Sequence, residues 1–342
     1  MSSVLVAMSG GVDSSVAAAM LMDAGHDVVG VTLKLWGGES DSGCCSLSDV
    51  EDARRVAAQL GIAHYVFNFT EEFDANVVDP YVDAYAKGRT PNPCVECNRH
   101  LKFGALLQRA DQLGVDFVAT GHHARITDNA DGTYALRRGA DAAKDQSYVL
   151  YMLNQEALRR TLFPVGEITK EHVRAEADRL GLRTATKRES MDVCFIKKGG
   201  REAFLGERIG RRPGSVVDGS GQVLGTHDGV AAFTVGQRRR VGVALGERTY
   251  VVDVDAATNT VTVGARKDLL CERIDVEDWC WTTGEPESGQ VFDVQTRAHG
   301  AVFAAVFDDG ALVPVAPVPR VAPGQVVACY AGDELVGGAL AV

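Results

Sequence analysis

The stretch Ala7-Met8-Ser9-Gly10-Gly11-Val12-Asp13-Ser14-Ser15 decides the reading of this chain. Before it, Val4 to Ala7 is an apolar run of strand length. After it, Val12, Val16, Ala17 and Met20 recur at helical spacing. Strand, glycine turn and helix in that order let the backbone approach a ligand closely, and successive amides with the helix N-terminus form an anion cradle. Ser9, Ser14 and Ser15 add hydroxyl donors, and Asp13 is placed to orient a metal ion that accompanies phosphates. No lysine follows, so this is neither the GxxxxGK(S/T) loop nor the GxGxxG of dinucleotide folds. A glycine turn with a serine cap is the bland alternative.

Outward from this loop, strands and helices alternate to about residue 180. Val28 to Leu33 reads as a second buried strand. Ser48 with Glu51 three residues later is a capping-box signature for a helix through Leu60, ended by Gly61. His64 to Phe67 reads as a third strand, 72–87 as a polar-faced helix, 89–93 as a loop, 95–112 as a further helix and Phe117 to Thr120 as a strand. Strands spaced by helices of this length predict a doubly wound, mostly parallel α/β sheet with helices on both faces. After about residue 200, glycine and short β-branched runs dominate, as in Tyr250 to Val254 and Thr260 to Val263. The chain therefore divides into an α/β unit over 1–200, a small basic central unit over 201–266 and a C-terminal β-barrel-like unit over 267–342. About two domains or slightly more agrees with 342 residues.

Composition sets the class. A hydrophobic share of 46% with 24% charged residues excludes a disordered chain. No apolar run approaches the roughly 18 residues of a membrane helix. The N-terminus carries no secretory pattern, which predicts a soluble, cytoplasmic protein. Eight cysteines are too few for a disulfide scaffold. The net charge of −11 argues against nucleic acid, but residues 183–240 hold twelve Lys/Arg and six Asp/Glu, a local +6 that leaves −17 on the remainder. A local polyanion site on an acidic protein fits this distribution, as does ordinary solvated charge.

Two cysteines stand out. Cys97 lies just inside a predicted helix after a proline-rich loop, where the helix dipole favours thiolate. Cys194 follows Lys187 and Arg188, which act the same way. Two reactive thiols beside a phosphate loop suggest sulfur transfer; two buried inert cysteines are the alternative. Cys44 and Cys45 follow a Gly/Ser-rich loop and read as incidental, and Cys271, Cys280 and Cys329 as small apolar residues.

SGGVDSS at 9–15 resembles the PP-loop motif of ATP pyrophosphatases, which cleave ATP between the α and β phosphates to adenylate a substrate. The resemblance extends through residues 90–98 (TPNPCVECN), 119–125 (ATGHHAR), 144–148 (KDQSY), 189–196 (ESMDVCFI) and 233–239 (FTVGQRR). In that order and spacing the chain is similar to the tRNA-specific 2-thiouridylase family over nearly its whole length, most weakly in the last 75 residues. The resemblance implies an enzyme that uses ATP and Mg2+ to adenylate the C2 oxygen of the wobble uridine and replaces it with sulfur, releasing AMP and pyrophosphate. It further implies that Ala7, Met8, Ser9, Gly10, Gly11, Val12, Asp13 and Ser14, with Leu33 and Gly121, contact ATP. Cys194 would carry a persulfide and Cys97 would be its partner. Asn92, Pro93 and Cys94 would meet the flipped base. His122, Lys144, Asp145, Gln146, Gln325 and Arg297 would contact tRNA. A cysteine desulfurase or sulfur relay protein would donate sulfur to a monomeric enzyme.

Cys94 departs from the family pattern, which often has Asp there. Cys94, Cys97 and Cys194 together supply three thiolates, a set that suits a 4Fe-4S cluster with one iron open to the incoming sulfur. A redox couple or a zinc site short of a fourth ligand are the other readings of this trio. Arg238 to Arg240 and the 197–201 segment fit phosphate contacts along a tRNA stem. Two rival functions stay open: a PP-loop ligase in which an amine attacks the adenylate, needing no paired thiols, and a non-catalytic RNA-binding protein with a cysteine-ligated metal.

Overall fold

The computed structural model describes residues 1–36, 46–187, 193–196, 200–243 and 248–342. Cys44, Cys45, Arg188 to Asp192 and Lys197 to Gly199 lie outside the described residues. In the first unit, β1 (Ser3–Ala7), α1 (Val12–Asp23), β2 (Asp27–Lys34), α2 (Leu47–Leu60) and β3 (His64–Asn68) follow in order. A helical stretch then runs from α3 (Thr70–Phe73) through a π-helical turn at Asp74–Val78 into α4 (Asp79–Ala86). A second runs from α5 (Pro93–Glu96) through π-helical Cys97–Ala105 into α6 (Leu106–Leu113). Next come β4 (Phe117–Ala119), the hairpin β5 (Ala124–Asp128) and β6 (Tyr134–Arg138), α7 (Gln155–Arg159), β7 (Thr161–Leu162), α8 (Lys170–Arg179) and α9 (Arg201–Ile209).

The order β3-β2-β1-β4-β7 is parallel throughout, so the doubly wound expectation is borne out. Alternation along β1 explains the two layers. Val4 and Val6 join a core with Val16 and Ala17 of α1, Val56 of α2 and Val173 of α8. Leu5 joins Val31, Leu33, Phe73, Tyr81 and Leu101 on the opposite face. The order reverses between β1 and β4, which opens a crevice at their C-terminal ends, where such sheets bind ligands. The helix α2 is capped by Ser46, not Ser48. Ser46 and Asp49 form the capping box, while Ser48 sits inside the first turn and bonds Ser46 through its hydroxyl.

The central unit is a four-stranded sheet of β8 (Gly214–Val217), β9 (Val223–His227), β10 (Tyr250–Asp255) and β11 (Thr260–Gly264) in the order β10-β11-β8-β9. The last unit contains β12 (Leu270–Cys271), β13 (Val276–Trp281), β14 (Val291–Gln295), β15 (Phe303–Asp308), β16 (Ala311–Pro314), β17 (Val318–Pro319), β18 (Val326–Ala331) and β19 (Glu334–Ala341). Its eight-stranded sheet takes in β5 and β6 from the first unit, with Leu335 opposite Leu136. Arg138 lies 3.6 Å from the centroid of the Tyr330 ring and bonds Asp145 and Gln295, fastening this hairpin to the sheet. No described helix is long and apolar enough to cross a membrane.

Candidate active site

The loop after β1 has the geometry that its glycines require. Gly10 adopts φ +71°, and a Cβ there would lie 2.2 Å from the Asp49 carbonyl oxygen. Gly11 is the N-cap of α1 in extended conformation and has no side-chain cap, so the serine-cap alternative does not hold. The first-turn amides thus lack a competing side-chain cap, as an anion cradle needs. Ser14 accepts from the Ser9 amide at 3.1 Å, and the Ser14 and Ser15 hydroxyls donate to the Gly11 carbonyl. The Met8 amide bonds Val31, and the Thr32 hydroxyl donates to the Met8 carbonyl, tying the loop to β2 just before buried Leu33.

Gly121, directly after β4, closes the other side of the crevice. A Cβ there would sit 2.6 Å from the Ser14 amide nitrogen and 2.7 Å from the Asp13 carbonyl carbon. The switch point therefore brings together Ala7 through Ser14 and Gly121, with Leu33 on the adjacent strand.

Asp13 is not left open to a metal. Lys170 Nζ lies 2.6 and 2.7 Å from its two carboxylate oxygens, and His123 Nε2 is 3.1 Å from Oδ1. Burial pushes the Asp13 carboxyl up, but the His123 and Lys170 hydrogen bonds and the lysine charge hold it below the ordinary carboxylate range. Lys187 spans the loop and α2, donating to the Gly10 carbonyl (2.9 Å), Asp49 (2.7 Å) and Asp52 (2.7 Å). Burial opposes its charge, yet the two carboxylates raise its ammonium above the usual lysine range. The sequence reading put Lys187 to work on Cys194; the structure sends its ammonium to the phosphate loop.

The cysteine helix opens at Asn92, whose side chain accepts from the Cys94 amide at 3.1 Å, with Pro93 in the first turn. Cys94 is exposed, whereas Cys97 is 7% exposed and begins the π-helical stretch. Such stretches recur at functional sites. Cys194 is half-buried in the segment 193–196, anchored by Phe195 against Trp36, Phe73, Tyr81 and Phe204. Cys97 and Cys194 pack into the same apolar cluster, which also contains Leu33. Among the described residues no group of three or more His, Cys, Asp or Glu side chains is arranged to hold a metal ion. Cys94, Cys97 and Cys194 therefore do not form a ligand set here. Cys271, Cys280 and Cys329 pack in or beside apolar clusters, and burial pushes all three thiols up.

The remaining predicted contacts fall into separate environments. His122 is buried between Phe103 and Phe163 with Nδ1 2.6 Å from Thr120, and burial, aided by Lys102 and His123, holds its imidazole well below the usual range. Asp145 is also buried, accepting from Arg138, Gly139 and Ser147. Lys144 is half-buried. Gln146 is exposed and accepts from the His123 amide. Arg297 is exposed on the loop after β14. Gln325 donates to the Thr90 carbonyl, so it serves the loop before Cys94. His123 and Lys170 are the residues that sequence reasoning missed, since nothing local marks them as partners of Asp13.

A parallel sheet with an amide cradle at its switch point, and two cysteines packed under the same face, defines a nucleotide-binding α/β domain with thiol chemistry at hand. Family models match the chain in three parts: a tRNA methyl transferase HUP domain over 2–198, a tRNA methyl transferase PRC-barrel domain over 202–265 and an aminomethyltransferase beta-barrel domain over 271–341. The tRNA-specific 2-thiouridylase MnmA of Mycolicibacterium smegmatis is 50% identical over 354 residues, covering 98% of each chain. The protein of the same name from Carboxydothermus hydrogenoformans is 46% identical, covering 98% of this chain and 96% of its own. The chain belongs to the tRNA-specific 2-thiouridylase family. A solved U34-tRNA thiolase, NcsA from Methanococcus maripaludis, overlaps with TM-score 0.38 at 17% identity, covering 59% of this chain and 62% of that one.

Proposed function

We propose that this chain is an ATP-dependent tRNA 2-thiouridylase. The observation that carries the reading is the convergence of Cys97 and Cys194 on one apolar cluster beside an uncapped phosphate loop. In this reading the uracil C2 oxygen attacks the α-phosphorus of ATP and pyrophosphate leaves, which turns that oxygen into a good leaving group. The terminal sulfur of a Cys194 persulfide then attacks C2, and AMP departs with the oxygen. Cys97 thiolate attacks the Cys194 sulfur; the S–S bond breaks, thiouridine is freed and a Cys97–Cys194 disulfide forms. An external thiol reductant returns both cysteines to thiols, and a cysteine desulfurase or sulfur relay protein reloads Cys194.

The phosphate-loop amides hold the nucleotide, and Gly121 keeps the crevice narrow. Magnesium arrives with ATP as its counterion; Asp13, whose two oxygens already accept hydrogen bonds, is not placed to bind it in this state. A cluster-held sulfide is the other carrier that the cysteine spacing suggests, but Cys94, Cys97 and Cys194 do not assemble as its ligands, so no step runs through it. Arg211, Arg212, Arg238 and Arg239 are exposed on the central unit and supply tRNA phosphate contacts. The same reading makes the enzyme a cytoplasmic monomer.

The test is an anaerobic reaction with unmodified tRNA, ATP, magnesium and a persulfide donor, followed by nucleoside mass spectrometry with AMP counted in parallel. Wobble 2-thiouridine formed with AMP supports the reading. AMP without thiouridine points to the amine-ligase chemistry of the superfamily, and neither product points to a binding protein.

A further inference from the structure

The phosphate loop lacks a lysine in sequence, yet the fold delivers one. Lys170, the first residue of α8, places its ammonium on both oxygens of Asp13, in the first turn of α1. We propose that Lys170 is the cation that binds the pyrophosphate portion of ATP and stays with it as it leaves. The inference rests on the ATP-dependent reading above and assigns a residue that neither the loop motif nor the cysteine chemistry names.

Three observations carry it. Lys170 is only 9% exposed, and a buried ammonium is costly unless paired, so the pair with Asp13 anchors it at the cradle. Its backbone is fixed: Thr169 caps α8, and the Lys170 amide donates to Asp141 at 3.0 Å. Asp13 also has a second donor, His123 Nε2, so the carboxylate keeps a partner when the ammonium turns to a polyphosphate. His123 itself is 3% exposed, and its Nδ1 is buried with no hydrogen-bond partner among the described residues. Lys187, the other lysine at the loop, is matched by two carboxylates and the Gly10 carbonyl. Lys170 instead bonds a carboxylate in the first turn of α1 itself, so its ammonium stands at the cradle's own helix. A reaction that expels pyrophosphate places its developing charge where such a cation counts most.

The test is calorimetric titration of the full chain and its Lys170→Met variant with ATP, inorganic pyrophosphate and AMP. ATP and pyrophosphate affinity should fall by about ten- to a hundredfold, the scale of one lost charge-assisted hydrogen bond, while AMP binding stays within about twofold. Lys170→Arg should recover most of the loss because it restores the charge. The double variant Asp13→Asn/Lys170→Met removes the buried pair together; if the single variant does not fold, the double variant should show the same ATP-over-AMP selectivity of the defect. Parallel weakening of all three ligands would make Lys170 a purely structural support and overturn the proposal, as would unchanged affinities. Wild-type protein that binds no ATP would instead overturn the enzymatic reading on which the proposal stands.

Discussion

Gly10→Ala tests whether the loop after β1 is a shaped cradle or an ordinary turn. Two costs are separable. An alanine at φ +71° carries a left-handed backbone penalty of roughly 1 kcal/mol. Its Cβ would also lie 2.2 Å from the Asp49 carbonyl, against the 3.4 Å of ordinary contact, so the loop or α2 must move by about 1 Å. Lys187 ties Gly10 to α2 and resists that movement, so overpacking adds about 1–3 kcal/mol. Gly25 is the control: its φ is +82°, and nothing lies within 4 Å of a Cβ there. Gly25→Ala should therefore show the backbone term alone. At roughly 2–4 °C per kcal/mol for a unit of this size, Gly25→Ala loses about 2–4 °C and Gly10→Ala about 5–15 °C. Thermal melts with and without ATP provide the readout. Gly25→Ala keeps the wild-type ATP shift, whereas a 1 Å misplacement of the cradle in Gly10→Ala weakens ATP by about a hundredfold. Equal melting losses and equal ATP shifts in the two variants would refute the reasoning.

Other outcomes follow from the same geometry. Cys97→Ser and Cys194→Ser should each lower thiolation by about a thousandfold or more while ATP binding stays intact, and Cys94→Ser should keep most activity, measured as thiouridine per AMP. Iron and acid-labile sulfide bound at Cys94 in anaerobically purified protein would contradict the last of these. His122 has a depressed imidazole, so the unfolded chain takes up its proton first as pH falls. Its contribution is complete above the unfolded value of 6.5 and is lost as pH drops toward the folded value. His122→Phe should therefore flatten the urea stability profile below pH 6.5 by up to about 1.4 kcal/mol per pH unit. Arg138→Met strips the buried Asp145 of its ion-pair partner and should cost about 3 kcal/mol in urea unfolding. Arg179→Ala breaks a pair whose arginine is 61% exposed and should leave the urea midpoint unchanged within error.

The loop at 7–15 was legible because everything that shapes it is local: a strand, two glycines and a helix in succession. The parallel sheet was legible for the same reason, since each strand-helix step leaves its own periodicity. The capping box was displaced by two residues because Ser46 and Ser48 offer the same hydroxyl, and only the helix start at Leu47 distinguishes them. The hairpin β5–β6 had no counterpart in the sequence reading. Its register with β19 joins residues about two hundred apart, a pairing that alternation along one strand does not encode. His122 and His123 are chemically identical neighbours, yet one ring enters an aromatic pocket and the other reaches Asp13. Lys170 lay still further from view, because its role depends on where α8 begins relative to α1. The cysteine pair was legible as chemistry, but its packing under one sheet face is a property of the tertiary fold alone.

The loop that leads into the cysteine helix is held by all three units. The Thr90 amide donates to Pro323 at 2.6 Å, its carbonyl accepts from Gln325, and its hydroxyl donates to Thr234 of the central unit at 3.2 Å. Arg89 bonds Glu277 and reaches the Ala341 carbonyl. Detaching the C-terminal unit would leave both backbone groups of Thr90 unmatched and turn β6 into an open sheet edge. The C-terminal strands are thus part of what places Asn92, the cap of the cysteine helix. In the function proposed above, a tRNA held by the exposed arginines of the central unit would bear on the same frame that positions Cys94 and Cys97. On that reading substrate placement and thiol placement would share one set of contacts, centred on Thr90.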